Sequence, residues 1–383
     1  MVPLVARPQG RCAFQAVWPL SGVRPIPGRP FKFRPSLAGQ PMPAVVERRG
    51  VSERSIPGYQ HFSAPSSGTL IAVGNFDGVH VGHRALIEHV LSQAAARSLA
   101  PLLMTFDPHP ALVLTSKAPA LLTTTERKVE LILDIAPRLN IVVQPFDAEF
   151  SRIEAEDFVE RILLGGLNAR YILVGKNFHF GRGRRGTADL LRSMSERRGF
   201  EAEAFELSGD LDGVYSSSRA RLELAAGNMG GVTHILGRPH AITGVVVRGD
   251  ARGRELGFRT ANLEGIDEGL PPEGIYACLV CEAAPGAPAK MLGIGAMSLG
   301  PRPTVNRGFA VEVHVLDYSG DLYERRLRIH ILHRLRGIER FDDVVQLRKQ
   351  ISADVEQCRQ LGLEWLESQQ SVLRRASTTQ RRE

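Results

Sequence analysis

The sequence has few cysteines and no long apolar run. Four cysteines are scattered along 383 residues, which suits a reducing compartment better than a disulfide scaffold. Cys278 and Cys281 form a CxxC pair, but alternate side chains of a strand-like run face opposite ways, and no second pair completes a zinc site. No apolar run approaches the ~20 residues that a helix needs to cross a bilayer. We therefore predict a cytoplasmic protein with no membrane partner.

The sequence also lacks basic runs interleaved with aromatic residues, the pattern of a base-stacking surface. Lysine and arginine outnumber aspartate and glutamate by 48 to 41, giving a net charge of +7, but part of this excess lies near the two ends of the chain. A basic balance also suits a protein that handles phosphates. We predict small-molecule partners, no nucleic acid, and a monomer or weak homo-oligomer.

Composition changes along the chain. Residues 1–66 are rich in proline, glycine and arginine and show little periodicity, so we predict a disordered extension. Its start is compatible with a transit peptide or with an upstream-extended start codon, for which Met42 would be the alternative start. The rest is long enough for two ordinary cores, which we place at residues 67–232 and 233–368, followed by a tail at 369–383.

The stretch from Thr69 to His89 organises the first domain. Thr69–Val73 predicts a short buried strand, a turn follows, and apolar residues recur at helical spacing from about Gly82. His80 and His83 lie where the turn becomes the helix, and free N–H groups and the helix dipole favour an anion there. A helix cap with one buried ring and half of a zinc site are the alternatives, but the preceding strand and turn favour a nucleoside triphosphate. The turn residues expected to bind it are Gly74, Asn75, Phe76 and Asp77.

The run from Gly74 to His83 resembles the HxGH signature of the nucleotidyltransferase superfamily, in the form used by prokaryotic FAD synthetases. This resemblance implies that the two histidines hold the phosphates of ATP and stabilise the departing pyrophosphate.

Asp107 and His109 follow a second predicted strand that begins at Pro101. The carboxyl ends of strands are where open α/β sheets bind ligands, although a capped loop is the alternative. The family carries a Thr-Phe-(Asp/Glu)-Pro-His-Pro segment at this point, which implies that both residues bind substrate.

Two later segments also resemble the family. Asn177 lies in a glycine- and arginine-rich loop after a strand; such a loop can approach phosphate closely, or it can be a solvated basic turn. The loop resembles the Val-Gly-x-(Asn/Asp)-Phe-x-Phe-Gly segment, in which the Asn contacts nucleotide. Ser217, Ser218 and Arg221 match the Ser-(Ser/Thr)-Thr-x-Ile-Arg motif, with Ala220 for the usual Ile; helix capping is the alternative there.

Strands that alternate with helices from about residue 69 to 232 predict an α/β, Rossmann-like domain with a doubly wound parallel sheet. The other elements predicted in it are helices at Thr125–Leu133 and Glu154–Leu164 and strands at Ile141–Phe146 and around Glu203–Leu207.

From His234 onward, short β-rich runs separated by glycine and proline predict an antiparallel β-barrel. An amphipathic helix over Asp342–Leu366 is predicted to cover the barrel. The predicted strands are Thr243–Val247, Ile275–Val280, Leu292–Ala296, Ala310–Leu316 and Leu327–Leu332.

A glycine-rich loop in this second half, with Gly249 and Gly253, leads to Thr260 and Asn262. A hydroxyl and an amide two residues apart in an extended segment point the same way and can share Mg²⁺ or a phosphate. An ordinary barrel turn is the alternative.

This half resembles riboflavin kinase. The resemblance implies an ATP- and Mg²⁺-dependent kinase with Glu312 as general base for the riboflavin 5′-hydroxyl, while Thr260 and Asn262 hold the metal and the nucleotide phosphates. The family has proline where this chain has Arg259, and the loss of a fixed φ is expected to loosen the nucleotide loop. The matching segments are Leu236-Gly-Arg-Pro, Gly257-Phe-Arg-Thr-Ala-Asn, Pro303-Thr and Val311-Glu-Val-His.

From about residue 69 to 366, the order of these segments resembles the prokaryotic bifunctional riboflavin kinase/FAD synthetase family. The resemblance implies that ATP phosphorylates riboflavin to FMN and that a second ATP adenylylates FMN to FAD. Two alternatives remain: a different nucleotidyltransferase fused to a barrel, and a non-enzymatic flavin-binding or regulatory protein.

Overall fold

The computed structural model describes residues 54–115, 118–206, 208–249, 257–285, 287–301 and 309–379, with the backbone alone for residues 309 and 372–379. The predicted fold class is confirmed: a six-stranded parallel sheet with helices is followed by a closed six-stranded antiparallel barrel and a terminal helix.

The first half is built on a sheet with strand order β1-β4-β3-β2-β5-β6, and every neighbouring pair is parallel. The strands are β1 (Ser55–Pro57), β2 (Thr69–Val73), β3 (Ala100–Asp107), β4 (Asn140–Pro145), β5 (Ala169–Gly175) and β6 (Glu201–Phe205). The helices are α1 (Val81–Arg97), α2 (Pro110–Leu114), α3 (Thr125–Ile135), α4 (Ala155–Asp157) with a π-helix at Phe158–Gly166, α5 (Ala188–Arg198), α6 (Ser217–Ala226) and α7 (Met229–Leu236).

Strand β2 lies at the centre of the sheet and is buried on both faces. Successive residues alternate between two apolar cores, with Ile71 and Val73 on one side and Leu70 and Ala72 on the other. From β2 the chain moves through β3 to β4 and then returns to place β5 on the opposite side of β2. The strand order therefore reverses between β2 and β5. We call this place the switch point, and the crevice there, at the carboxyl ends of the two strands, is where such sheets bind ligands.

Two predictions for the first half need correction. The extension predicted over residues 1–66 reaches into the fold, because Ser55 pairs with Ile141 along the edge of the sheet and the N–H of Gly58 donates to Val143 O at 2.9 Å. A three-residue edge strand is too short to show periodicity. The helix predicted at Glu154–Leu164 is mostly a π-helix, which has no separate sequence signature.

The barrel closes in the order β10-β13-β12-β11-β14-β9. Its strands are β9 (His240–Val247), β10 (Ala261–Glu264), β11 (Gly274–Glu282), β12 (Lys290–Pro301), β13 (Phe309–Val315) and β14 (Arg326–Arg336). Strand β10 was predicted only as an extended segment around Thr260–Asn262, since its four residues carry too little pattern for bounds to be set. A small hairpin of β7 (Gly209–Asp210) and β8 (Gly213–Val214) precedes α6.

Helix α8 (Val344–Thr379) packs on strands β11, β12 and β14. The loose tail predicted over residues 369–383 is therefore helical as far as Thr379. The sequence after Leu366 contains neither glycine nor proline, so no residue there stops the helix.

The two halves share one apolar cluster. Leu122 and Leu224 from the first half pack in the same cluster as Ile242 and Tyr276 of the barrel. Helix α7 crosses the predicted boundary between residues 232 and 233 and buries its apolar side in this cluster. In the described part of the chain, no helix has both the length and the apolar character needed to span a bilayer.

Candidate active sites

His80 and His83 cap the helix that starts at the switch point. His80 is the N-cap of α1, its Nδ1 accepts the N–H of His83 at 3.3 Å, and the Nδ1 of His83 accepts the N–H of His80 at 3.3 Å. The rings stack with centroids 3.6 Å apart. The helix-cap alternative is thus correct as local structure, and it fixes both rings at the anion-binding end of the helix.

Both histidines are neutral at pH 7. Burial, with the charge of Arg238, lowers the pKa of His80 to about 3, and burial with the neighbouring His80, Lys128 and Arg238 holds the pKa of His83 well below its ordinary value. Because each Nδ1 accepts a backbone N–H, each ring carries its proton on Nε2. The site therefore offers two neutral Nε2–H donors.

Phe76 and Asp77 lie in the same turn but face the protein. The Phe76 side chain is buried with its ring 5.1 Å from that of His83. The buried carboxylate of Asp77 accepts the N–H groups of Leu122 and Thr123 at 3.0–3.2 Å and pairs with Arg221. The Asp77 side chain thus connects its own turn to the segment at Leu122 and Thr123 and to Arg221 of α6. Direct nucleotide binding by this side chain stays a prediction.

Lys128 of α3 contacts the turn that precedes His80, and no sequence motif marked it. Its Nζ donates to Asn75 O at 3.2 Å and to Phe106 O at 3.1 Å, so it connects the carboxyl ends of β2 and β3. Burial lowers its pKa to about 8, with Asp77 and Asp107 opposing, so the ammonium is mostly charged at pH 7. Its place four residues before the buried Ile132, on the apolar side of α3, is a signal that could have identified it.

Asp107 and His109 line a cleft of about 440 Å³ beside Lys128. Thr125 Oγ1 donates to the Asp107 carboxylate at 2.5 Å, and His109 caps α2 by accepting the N–H of Ala111 at 3.2 Å. Burial lowers the pKa of His109, with Asp77 opposing. The structure thus places both predicted residues in one cleft.

The other predicted nucleotide residues lie on the loops and the helix around the switch point. Gly74 donates its N–H to Met104 O at 3.1 Å, and Asn177 is exposed in the loop that follows β5. Ser217 donates to Asp77 O at 2.8 Å, whereas Ser218 is exposed on the first turn of α6. The segments after β2 and β5 and the start of α6 therefore converge on one end of the sheet.

The barrel brings Thr260, Asn262 and Glu312 together. Asn262 lies opposite Glu312 in the β10–β13 pairing, and Thr260 Oγ1 donates to Glu312 Oε2 at 3.3 Å. All three side chains are half-buried, while their neighbours Ala261 and Val313 are buried in the barrel. The sequence prediction that the hydroxyl and the amide share one side of the strand fits this alternation.

Gly249 lies against this group, since a Cβ there would come within 2.2 Å of Asn262 Nδ2. Thr260 and Arg259 also line a pocket of about 290 Å³ at the end of the barrel. Gly253 and Pro303-Thr304, which the sequence analysis singled out, fall outside the described residues.

The fold and these two candidate sites are those expected of a nucleotide-dependent transferase, with an anion-binding helix end at the parallel sheet and an oxygen-rich group on the barrel. A sequence model of FAD synthetase matches residues 63–219, and one of riboflavin kinase matches residues 236–362. The chain belongs to the bifunctional riboflavin kinase/FMN adenylyltransferase family.

Curated relatives with that family name cover both halves. The relative from Escherichia coli strain K12 is 35% identical over 294 residues, which span 76% of this chain and 92% of the relative. The relative from Pseudomonas fluorescens is 34% identical over 311 residues, spanning 80% of this chain and 97% of the relative.

A solved structure described as a macrolide-efflux protein from Streptococcus pneumoniae is similar to this chain over most of its length. It is 27% identical, its TM-score is 0.69, and the match covers 80% of this chain and 99% of that chain. Its description applies to that protein alone.

Proposed function

We propose that the chain phosphorylates riboflavin to FMN with one ATP at the barrel and adenylylates FMN to FAD with a second ATP at the α/β site, releasing pyrophosphate. The match of separate FAD synthetase and riboflavin kinase models to the two halves supports this assignment. The observation that carries it is the pair of Nε2–H donors at the switch point together with the Thr260–Asn262–Glu312 group on the barrel.

In adenylyl transfer, an FMN phosphate oxygen attacks the α-phosphorus of ATP, the bond from the α-phosphorus to the bridging oxygen breaks, and pyrophosphate leaves. His80 and His83 would donate Nε2–H bonds to the phosphates, and the N-terminus of α1 adds its partial positive charge. Neutral donors suit this step because they bind developing charge without giving up a proton. No covalent enzyme intermediate is required.

The cleft beside Lys128 is our candidate for the FMN site. It lies next to the turn of residues 74–83 that carries His80 and His83, which we call the histidine turn. It is lined by Asp107, His109 and Lys128. The mostly charged Lys128 provides a cation for an anionic substrate, and its bonds to Asn75 O and Phe106 O keep it at the carboxyl ends of β2 and β3. Asn177 and Ser218, which are exposed at the same end of the sheet, would complete the ATP site.

In the kinase reaction, Glu312 would accept the proton of the riboflavin 5′-hydroxyl as that oxygen attacks the γ-phosphorus of ATP and ADP leaves. The oxygen donors of Thr260, just before β10, and of Asn262 within it fit Mg²⁺, so these residues would hold it with the phosphates. The ion when bound would neutralise phosphate charge. The contact between Thr260 and Glu312 supports Glu312 as the base beside the expected phosphate site.

The compartment, oligomeric state and partners of the enzyme are inferred from composition. We assign it to the cytoplasm as a monomer or weak homo-oligomer with no nucleic-acid partner. The scattered cysteines, and a sequence without basic runs interleaved with aromatic residues, support this assignment.

Flavin chromatography tests the function. Purified protein is incubated with ATP and Mg²⁺, starting once from riboflavin and once from FMN. FAD from both starting points is expected. FAD from FMN alone would show that the barrel is not an active kinase, and no FAD from either would favour a non-enzymatic flavin-binding protein. Adenylylation of another phosphorylated substrate in place of FMN would indicate a different nucleotidyltransferase.

A further inference from the structure

Arg238 reaches from the start of the barrel half into the histidine turn. It follows Gly237, the C-cap of α7, and its guanidinium donates to two consecutive carbonyls of the turn. Nη2 donates to Gly78 O at 2.6 Å and Nη1 to Val79 O at 3.1 Å. A further bond from Nη1 to Leu236 O at 3.1 Å anchors the guanidinium to its own helix end. A residue outside the first domain thus contacts the backbone immediately before His80.

This turn has a backbone that needs support. Gly78 has φ of 80° and Val79 has φ of 38°, and a β-branched residue with positive φ persists only when its surroundings fix it. The opposite side of the turn is held by Thr123, whose Oγ1 accepts the N–H of Gly78 at 3.1 Å. Arg238 and Thr123 therefore clamp Gly78 from two directions.

The same guanidinium affects the electrostatics of the site. Burial lowers the pKa of Arg238 to about 9, so it stays charged at pH 7, and its charge contributes to the low pKa of His80 and of His83. The positive charge of Arg238 thereby favours the neutral forms of His80 and His83.

We propose that Arg238 is a positioning residue for adenylyl transfer: by holding the Gly78–Val79 carbonyls, it sets the direction in which His80 and His83 present their Nε2–H groups. The proposal rests on the proposed adenylyl-transfer function. It also means that the α/β site needs a side chain carried by the segment that leads into the barrel.

The test compares the full-length Arg238→Met, Arg238→Lys and unchanged proteins. Both activities are measured in each, with FMN or riboflavin as the starting flavin. For Arg238→Met we expect kcat of FAD formation to fall about 10- to 100-fold, because small displacements of reacting groups cost rates of this size. The KM values should change less than kcat because Arg238 contacts backbone. Lysine keeps the charge but loses the two-pronged geometry, so partial recovery is expected.

Arg326→Met is the matched control. Arg326 also connects the two halves, through a 2.7 Å ion pair with Glu126, but it does not contact the histidine turn. We expect this variant to keep both activities. Kinase activity in Arg238→Met should also be retained, which separates positioning from a general loss of folding.

Three results would overturn the proposal: full FAD formation by Arg238→Met, an equal loss in Arg326→Met, or a proportional loss of kinase activity in Arg238→Met. If the unchanged protein fails to form FAD from FMN, the proposed function itself is wrong. The outcomes of the two proposals are thus distinct.

Discussion

At the scale of single residues, the stacked histidine pair at the start of α1 links structure, charge and chemistry. His80 is buried and must be neutral to accept the N–H of His83. Its low folded-state pKa favours the chemistry of a donor but carries a stability cost in acid. In the unfolded chain His80 is protonated below about pH 6.5, whereas in the folded state it is protonated only below about pH 3.

His80→Asn tests this cost. Asparagine is a good N-cap and does not titrate. Because the unfolded chain binds the extra proton, His80 should reduce the free energy of unfolding as pH falls below about 6.5, by about 2 kcal/mol at pH 5. The variant should lose that part of the pH dependence, measured by denaturant unfolding at pH 5 and 7.5. If the free energy of unfolding changed equally between pH 7.5 and pH 5 in both proteins, the low pKa of His80 would be contradicted.

Lys128→Met tests the buried lysine that connects the carboxyl ends of β2 and β3. The methionine stem fills the same space, but the bonds to Asn75 O and Phe106 O are lost. We expect kcat/KM for FAD formation to fall roughly thirtyfold, since a buried charged hydrogen bond contributes about 2 kcal/mol, while kinase activity stays unchanged. The control is Arg192→Met, which removes an exposed cation of α5 paired with Asp189. An unchanged kcat/KM in Lys128→Met would remove this residue from the site.

At the scale of elements, the pairing of β10 with β13 builds the candidate kinase site. Strand β10 has four residues, yet its register against β13 places Asn262 opposite Glu312. The proposed chemistry therefore depends on a strand that the sequence predicted only as an extended segment without bounds.

Glu312→Gln tests this arrangement. Glutamine keeps the shape and can still accept from Thr260, but it cannot act as a base. We expect FMN formation from riboflavin to fall by at least about 100-fold and FAD formation from FMN to continue. Glu282→Gln on β11, which breaks a surface pair with Arg325, should leave both rates unchanged. Full kinase activity in Glu312→Gln would show that another group is the base.

How well the sequence predicts an element depends on its length and its burial. The strand at Thr69–Val73 was predicted with its observed bounds, because a buried central strand is continuously apolar. Strand β1 was missed and β10 was predicted only as an extended segment, because three or four residues carry little periodicity. Helix α8 extends beyond its predicted end because no glycine or proline stops it. For the candidate sites, motifs singled out the histidines and Glu312. Helical spacing could at most mark Lys128 as a cation on an apolar side, and a motif contained Arg238 without assigning it a role. The bonds of both side chains to the backbone around the histidines are tertiary contacts that the sequence does not encode.

At the scale of the whole molecule, the shared apolar cluster joins two catalytic units. Residues of α6 and α7 pack with barrel residues, and Arg328 of β14 pairs with Glu130 of α3 at 3.0 Å. The halves are therefore expected to unfold together.

Calorimetry tests this coupling. A single cooperative transition is expected, because exposing either half uncovers apolar surface of the other. A substitution confined to the barrel interior, such as Val313→Ala, should lower the midpoint of the whole transition. Two separate transitions, with only the later or the earlier one shifted, would show that the halves are independent folding units.

The central claim is that one chain carries out two successive reactions at two separate sites. The most direct measurement mixes two full-length variants, His83→Ala and Glu312→Gln, with riboflavin, ATP and Mg²⁺. We predict that His83→Ala alone stops at FMN, that Glu312→Gln alone leaves riboflavin almost unchanged, and that the mixture forms FAD as FMN passes between molecules. FAD formation from riboflavin by either variant alone, or none from the mixture, would contradict the account.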